Sequence, residues 1–157
     1  MYLKKISFFL ICYFVFINGL FSQNPFDDYQ FRSINEATSK RAISTIIQDK
    51  NGFIWIGTDG AGMYRFDGVN YFEYQYNPKD KGSVSSNFIY VSFVDSDNNL
   101  WVGTDEGLCL YNRDLDNFAK INIEDVIANG SDSPITVKTI IQDNYGNLII
   151  GTYGFGL

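Results

Sequence analysis

The sequence predicts an all-β fold: a partial β-propeller of four-stranded antiparallel blades, about two and a half of them, with the ring incomplete. Three observations predict it. The stretch 48–58 returns twice, with its Gly-Thr pair at 57, 103 and 151, spacings of 46 and 48. A fixed period of that size marks a repeat unit that cannot bury its apolar face alone. Within each copy, turn residues separate short β-branched or aromatic runs, which is hairpin chemistry. Finally, 14 glycines and 11 tyrosines suit short strands and tight turns, and no window after the leader sustains a helical period.

The chain opens with a targeting segment, assigned to residues 1–22. Lys4 and Lys5 form a short positive region, residues 6–17 are an apolar run, and Ser22 is a small residue before Gln23. That is the pattern of an export signal, short for a membrane span. Leu20 and Phe21 suit a cleavage site poorly, which leaves retention as an uncleaved anchor open. Cys12 does not make a lipoprotein box, because Ile11 is bulky where a small residue is needed. Export leaves Cys109 alone, without an intrachain partner, and its place in a repeated strand makes it a small core residue.

Residues 23–41 are read as an N-terminal closing strand and connector. The strand is Tyr29-Gln30-Phe31-Arg32-Ser33-Ile34, whose polar–apolar alternation would clasp the ring. Blade 1 spans 42–80. Its strands are Ile43 to Ile47, Phe53 to Ile56, Met63 to Phe66 and Tyr71 to Tyr76, joined by turns at Asn51-Gly52, 57–62 and Asp67-Gly68. Blade 2 spans 81–125 and matches through Leu108 to Tyr111 and Asn117 to Ile121. Residues 126–157 begin blade 3, cut short as its third strand should start. A closed ring takes about four to eight blades, so the chain reads as the front of something longer.

Charge and composition narrow the function. The net charge is −6, and since Lys4 and Lys5 lie in the leader, residues 23–157 carry 10 basic against 18 acidic groups. An acidic surface argues against a nucleic-acid partner. There is no histidine, so this stretch holds no Ser-His-Asp triad, no His-ligated metal and no phosphoacceptor histidine.

Asp49, Asp95 and Asp143 recur at equivalent places and invite a catalytic or metal role. Asp at the start of a turn accepts backbone N–H bonds by geometry, and three copies in separate blades should not converge, so a structural role is expected. Asp95, Asp97, Asn99 and Glu106 mimic a calcium loop, but Leu100 replaces its glycine and flanking helices are missing. Trp55 and Trp101 could stack on sugars, yet their strand positions favour packing between blades. Ligand contacts are expected on connectors at one face, where repeat proteins place their variation.

Phe31-Arg32-Ser33-Ile34, the run from Ile46 to Thr58, and Tyr64-Arg65-Phe66-Asp67-Gly68 resemble the two-component regulator propeller repeats, over about residues 28–157. The departures are Asn98 and Asn99 where the other copies have Gly at the turn, and Ile149 where they have Trp. The resemblance implies the periplasmic sensor region of a hybrid histidine kinase, an inner-membrane protein, in which propellers precede a β-sandwich, a membrane span and the output modules. It implies signal transduction by ligand binding, with no catalysis in this stretch. No catalytic residue, metal ligand or cofactor is expected, and ligand-binding residues are left unassigned. Expected partners are a small ligand such as an oligosaccharide, the remaining blades of the same chain, and a second subunit in a full-length homodimer. The alternatives are a secreted propeller-type glycan-active enzyme and a structural or adhesion repeat protein. For the enzyme, Asp49 to Gly52 is one position longer than a sialidase Asp box, and Arg65 and Arg113 are a thin arginine supply.

Overall fold

Antiparallel hairpins account for the architecture of the described residues. A computed structural model describes residues 41–123, 134–154 and 156, all of them strands, turns and connectors. The export signal, the strand at residues 29–34 and most of the 124–134 connector lie outside the described residues. Strands β1 (Ile43–Gln48), β2 (Ile54–Thr58), β3 (Met63–Phe66) and β4 (Tyr71–Tyr74) form one sheet in that order. Strands β5 (Ile89–Val94), β6 (Leu100–Thr104), β7 (Gly107–Asn112) and β8 (Asn117–Ile121) form the second, and β9 (Val137–Gln142) pairs with β10 (Leu148–Thr152) in the third. Among the described residues there are therefore two four-stranded blades and two strands of a third. Strand β4 stops two residues short of the sequence expectation, because the backbone N–H of Tyr76 leaves the ladder to donate to Asn87 Oδ1.

Register repeats with the sequence. Ile47 faces Trp55, Phe93 faces Trp101 and Ile141 faces Ile149 across the first hairpin of each sheet, and each first strand carries one irregularity near its start. The first strands approach one another in the order β1, β5, β9, so the sheets converge there. Between the first two sheets the core holds Trp55, Met63, Ile89, Leu100, Val102, Cys109, Tyr111 and Phe118. Between the second and third it holds Leu108, Ile123, Ile135, Val137 and Ile140, with Trp101 packed against them. Both tryptophans thus serve packing between blades, as their strand positions suggest.

Glycine sets how closely the blades meet. A Cβ on Gly57 would lie 2.5 Å from Thr45 Cγ2 and 2.6 Å from Ile89 Cγ2 of the next blade. At Gly103 the same atom would lie 2.6 Å from both Val91 Cγ1 and Val137 Cγ1. The recurring glycine is therefore a hole for a β-branched knob of the following sheet. The threonine after it closes the next turn: Thr58 Oγ1 donates to Gly62 O at 2.8 Å and accepts from Ala61 N at 3.1 Å. Thr104 and Thr152 donate in the same way to Gly107 O and Gly156 O.

Candidate functional site

The turn between the first two strands is the most repeated polar feature of each blade. Asp49 Oδ1 accepts from Asn51 N at 3.0 Å and Phe53 N at 3.1 Å, while Oδ2 accepts the indole N–H of Trp55 at 3.0 Å. Asp95 does the same with Asp97 N, Asn99 N and the Trp101 indole at 2.9, 2.8 and 2.8 Å. Asp143 takes Tyr145 N and Asn147 N, both at 2.8 Å. In the second and third copies an asparagine side chain, Asn99 or Asn147, also donates to the second oxygen. The first copy has Phe53 there, and Arg113 of the next blade donates to Asp49 Oδ2 instead, at 2.9 Å. The tryptophan is thus both a core residue and a clasp on its own turn, a second role that the strand pattern did not reveal.

These carboxylates are committed acceptors. Burial alone would raise the Asp49 pKa, but hydrogen bonds from Trp55 and Arg113, the Arg113 charge and the Phe53 N–H outweigh it and hold the group below its ordinary value. Asp95 shifts in the same direction: burial opposes, and Trp101 and Asn99 prevail. A depressed folded-state pKa gives stability that is full above the unfolded carboxylate value of about 3.9 and is lost as pH falls through the folded value. Urea midpoints should therefore hold near neutral pH and decline steadily below about pH 4. Asp49→Asn should be less stable at pH 7 yet show a shallower acid decline; an unchanged slope would remove Asp49 from the account.

The three turns form a continuous row, which sequence reasoning did not anticipate. Lys50 N donates to Asn98 Oδ1 at 2.9 Å, Asn98 Nδ2 donates to Asn51 Oδ1 at 2.8 Å, and Lys50 Nζ reaches Ser96 O. Ser96 N then donates to Gln142 Oε1 at 2.9 Å. Asn98 occupies the place of Gly52 and Gly146, with φ of 68° against 89° and 88°. Asparagine tolerates that left-handed region, and here its amide bridges two blades. The departure from glycine is a gain in interblade bonding.

A second polar cluster lies farther out between the first two blades. The Arg65 guanidinium bonds Tyr111 OH at 2.6 Å and Asp116 Oδ1 at 2.8 Å, and Tyr74 OH donates to the same carboxylate oxygen at 2.6 Å. Rings of Phe53, Trp55, Phe72 and Tyr74 stand 4.7 to 5.7 Å from the guanidinium carbon. Burial, reinforced by the hydrogen bond to Asp116, pushes the Tyr74 phenol well above its ordinary value, so it stays a neutral donor. Arg65 and Arg113 are thus each paired with a carboxylate of the neighbouring blade. They fasten sheets together, and the structure does not bring them to a shared site.

A ligand-sized concavity lies elsewhere. A cleft of about 580 Å³ opens between the connector after β4 and the outer part of the second blade, lined by Tyr76, Asp80, Lys81, Glu106 and Lys120 among others. The connector is stiffened by its own bonds: Asp80 N to Asn77 O, Ser83 N to Asp80 O, and Gly82 N to Asp80 Oδ1 at 2.9 Å. Phe118 N donates to Gly82 O at 2.8 Å, tying the connector to β8. Beneath it Ser85 N donates to Cys109 Sγ, and burial pushes that thiol up, leaving it an unreactive core group. Mixed charges, an exposed tyrosine and a held backbone suit binding of a polar molecule.

The repeats match known proteins. The family described as "Two component regulator propeller" matches residues 39–60 and 83–106. Histidine kinase P4 of Formosa agariphila is 33% identical over 63 residues, 39% of this chain and 5% of the kinase. The extracellular domain of a hybrid two component system from B. thetaiotaomicron superimposes with a TM-score of 0.64 at 26% identity, over 78% of this chain and 17% of that one. A second such extracellular domain from the same organism gives 0.57 at 29% identity, over 73% and 14%. This chain therefore spans a small part of the length of each. Its recurring Asp-turn, Gly-Thr hairpins match the two component regulator propeller repeat in the first two blades, and their stacking as four-stranded sheets is similar to that of these extracellular domains.

Proposed function

We propose that this chain supplies blades to the extracytoplasmic, ligand-sensing propeller of a hybrid two-component regulator, and that it binds a small polar ligand without transforming it. The observation that carries this reading is the joint match of the repeats and of their three-dimensional arrangement to extracellular domains of two-component systems. The export signal read at residues 1–22 agrees with that location, and phosphorelay chemistry would belong to parts of the relatives far longer than these repeats. An oligosaccharide is the ligand class we favour. The cleft beside the 77–83 connector offers a tyrosine ring with carboxylates and ammonium groups, the pairing of apolar face and hydrogen-bonding edge that a sugar presents.

Thermal unfolding of the full chain against a panel of neutral and charged oligosaccharides tests this. A binder should raise the midpoint with the logarithm of its concentration above Kd, by about 2.7 kcal/mol of stability at a hundredfold excess over Kd. Tyr76→Ala with Lys81→Ala should abolish that rise while leaving the unliganded midpoint in place. A rise that survives both substitutions would move the site elsewhere, and chemical turnover of a bound sugar would defeat the binding-only reading.

A further inference from the structure

Two exposed rings stand on neighbouring segments at the end of the sheets that carries the Gly-Thr turns. Tyr76, in the cleft wall, is 48% exposed, and Phe88, just before β5, is 45% exposed. Asn87 ties the two segments together. Its Oδ1 accepts from Tyr76 N at 2.7 Å, and its backbone oxygen accepts from Gly60 N at 3.0 Å and Gly62 N at 2.9 Å. Buried Ser86 accepts from Phe88 N at 3.1 Å, and Phe88 bridges to Asp59 across the junction of the first two sheets. Gly60 lets the Phe88 ring lie close over the turn, since a Cβ there would stand 3.3 Å from Phe88 Cε1, at a φ of 94°. Both sheets beside Phe88 are four-stranded and packed on one another, so its exposure belongs to their finished interface. The repeat itself requires no ring here, because the equivalent places before β1 and β9 hold Ala42 and Thr136. Variation of this kind among copies is where repeat proteins put recognition.

We propose that Phe88 is a second sugar subsite continuous with the cleft, so that the ligand is an oligosaccharide lying across Tyr76 and Phe88 rather than a single sugar. This rests on the sugar-binding reading of the cleft and adds the length of the ligand to it. The C–H face of a pyranose packs on an open aromatic face, while its hydroxyls need donors and acceptors at the ring edge. Both are at hand. The exposed Asp59 carboxylate, paired in the bridge with Phe88, is an acceptor. Asn87 supplies the donor: its Oδ1 is taken by Tyr76 N, which fixes the amide orientation, and its Nδ2 has no partner among the described residues. Ser86, Asn87 and the 60–62 turn hold the platform's backbone before any ligand arrives, so little ordering is left to oppose binding.

Calorimetric titration of the full chain with glucan, mannan, xylan and polygalacturonate ladders, from single sugars to hexasaccharides, tests this. In a ladder that binds, Kd should fall about tenfold or more between the single sugar and the trisaccharide, then level off. Phe88→Ala should return the longer sugars to the affinity of the single one and leave that one unchanged. Phe88→Trp should keep the gain, whereas Phe88→Leu, apolar but without a ring face, should lose it. Tyr145→Ala removes a 92% exposed ring from the opposite end of the third sheet and should change nothing. Phe88 is exposed, so near-UV circular dichroism should stay native, and the Trp and Leu variants separate stacking from any loss of fold. A length gain that survives Phe88→Ala, or a single sugar that binds as tightly as the longer ones, overturns the second subsite and leaves the cleft standing. Failure of every ladder to bind the wild type overturns the sugar reading of the cleft and this subsite with it.

Discussion

Trp55→Ala is expected to lower the unfolding free energy by about 3–5 kcal/mol, the range for removing a large aromatic from a packed interior. The indole is fully buried, 4.6 Å from the Tyr111 ring in an edge contact and 5.7 Å from the Tyr74 ring, and it lies in the core shared by the first two sheets. Truncation would open a cavity between blades and leave Asp49 without one of the donors to its buried carboxylate. Trp55→Phe separates the two losses. It retains most of the packing and removes the N–H, so it should cost about 1–3 kcal/mol. Urea unfolding followed by far-UV circular dichroism reads both. A cost below about 1 kcal/mol for the alanine variant would mean that the blades hold together without this ring.

Gly103→Ala should be the other costly change, by about 1–3 kcal/mol, through overpacking rather than a cavity. The added methyl would meet Val91 and Val137 at 2.6 Å, one in its own sheet and one in the next, so the sheets must separate or a strand must shift. Val137→Ala in the same chain should recover part of the loss by clearing the knob. Non-additivity of the two substitutions in a double-mutant cycle is the expected sign of direct contact. Strict additivity would place the cost in the strand backbone instead, because glycine also gives up conformational freedom when fixed in a strand.

The acid decline expected from Asp49 and Asp95 is smaller and shares its origin with these packing effects. The carboxylates matter because two or more donors from one turn reach each of them. The turn therefore carries a built-in anion that organises the backbone around it, and the adjoining hairpin presents its ring to the next sheet. Such a group is poorly suited to general-base or metal chemistry, since its lone pairs are already taken.

Period, strand order and turn chemistry were legible in the sequence because they are local. Asp49, Gly52 and Thr58 each act within a few residues of themselves, and the sequence repeats them openly. What depends on sequence-distant partners was not legible. Nothing in the sequence pairs Arg113 with Asp49 or Arg65 with Asp116, contacts that span 64 and 51 residues. Asn98 was visible only as a departure from glycine. Its bridge to Lys50 and Asn51 exists because successive first strands lie side by side. The cleft beside the connector was not legible, since its walls come from the connector and from parts of the second blade distant from it in sequence.

By itself the sequence determined the repeat, the all-β class and the hairpin register, because hydrophobic alternation and turn residues fix those over a few bonds. Only the tertiary structure decided how the blades lock together, which ion pairs and rings fill the space between them, and which faces remain open. Those outcomes depend on the angle at which neighbouring sheets meet. That angle follows from the sum of side-chain volumes across an interface, a glycine hole in one place and a cluster of aromatics in another, which no single stretch of the chain contains.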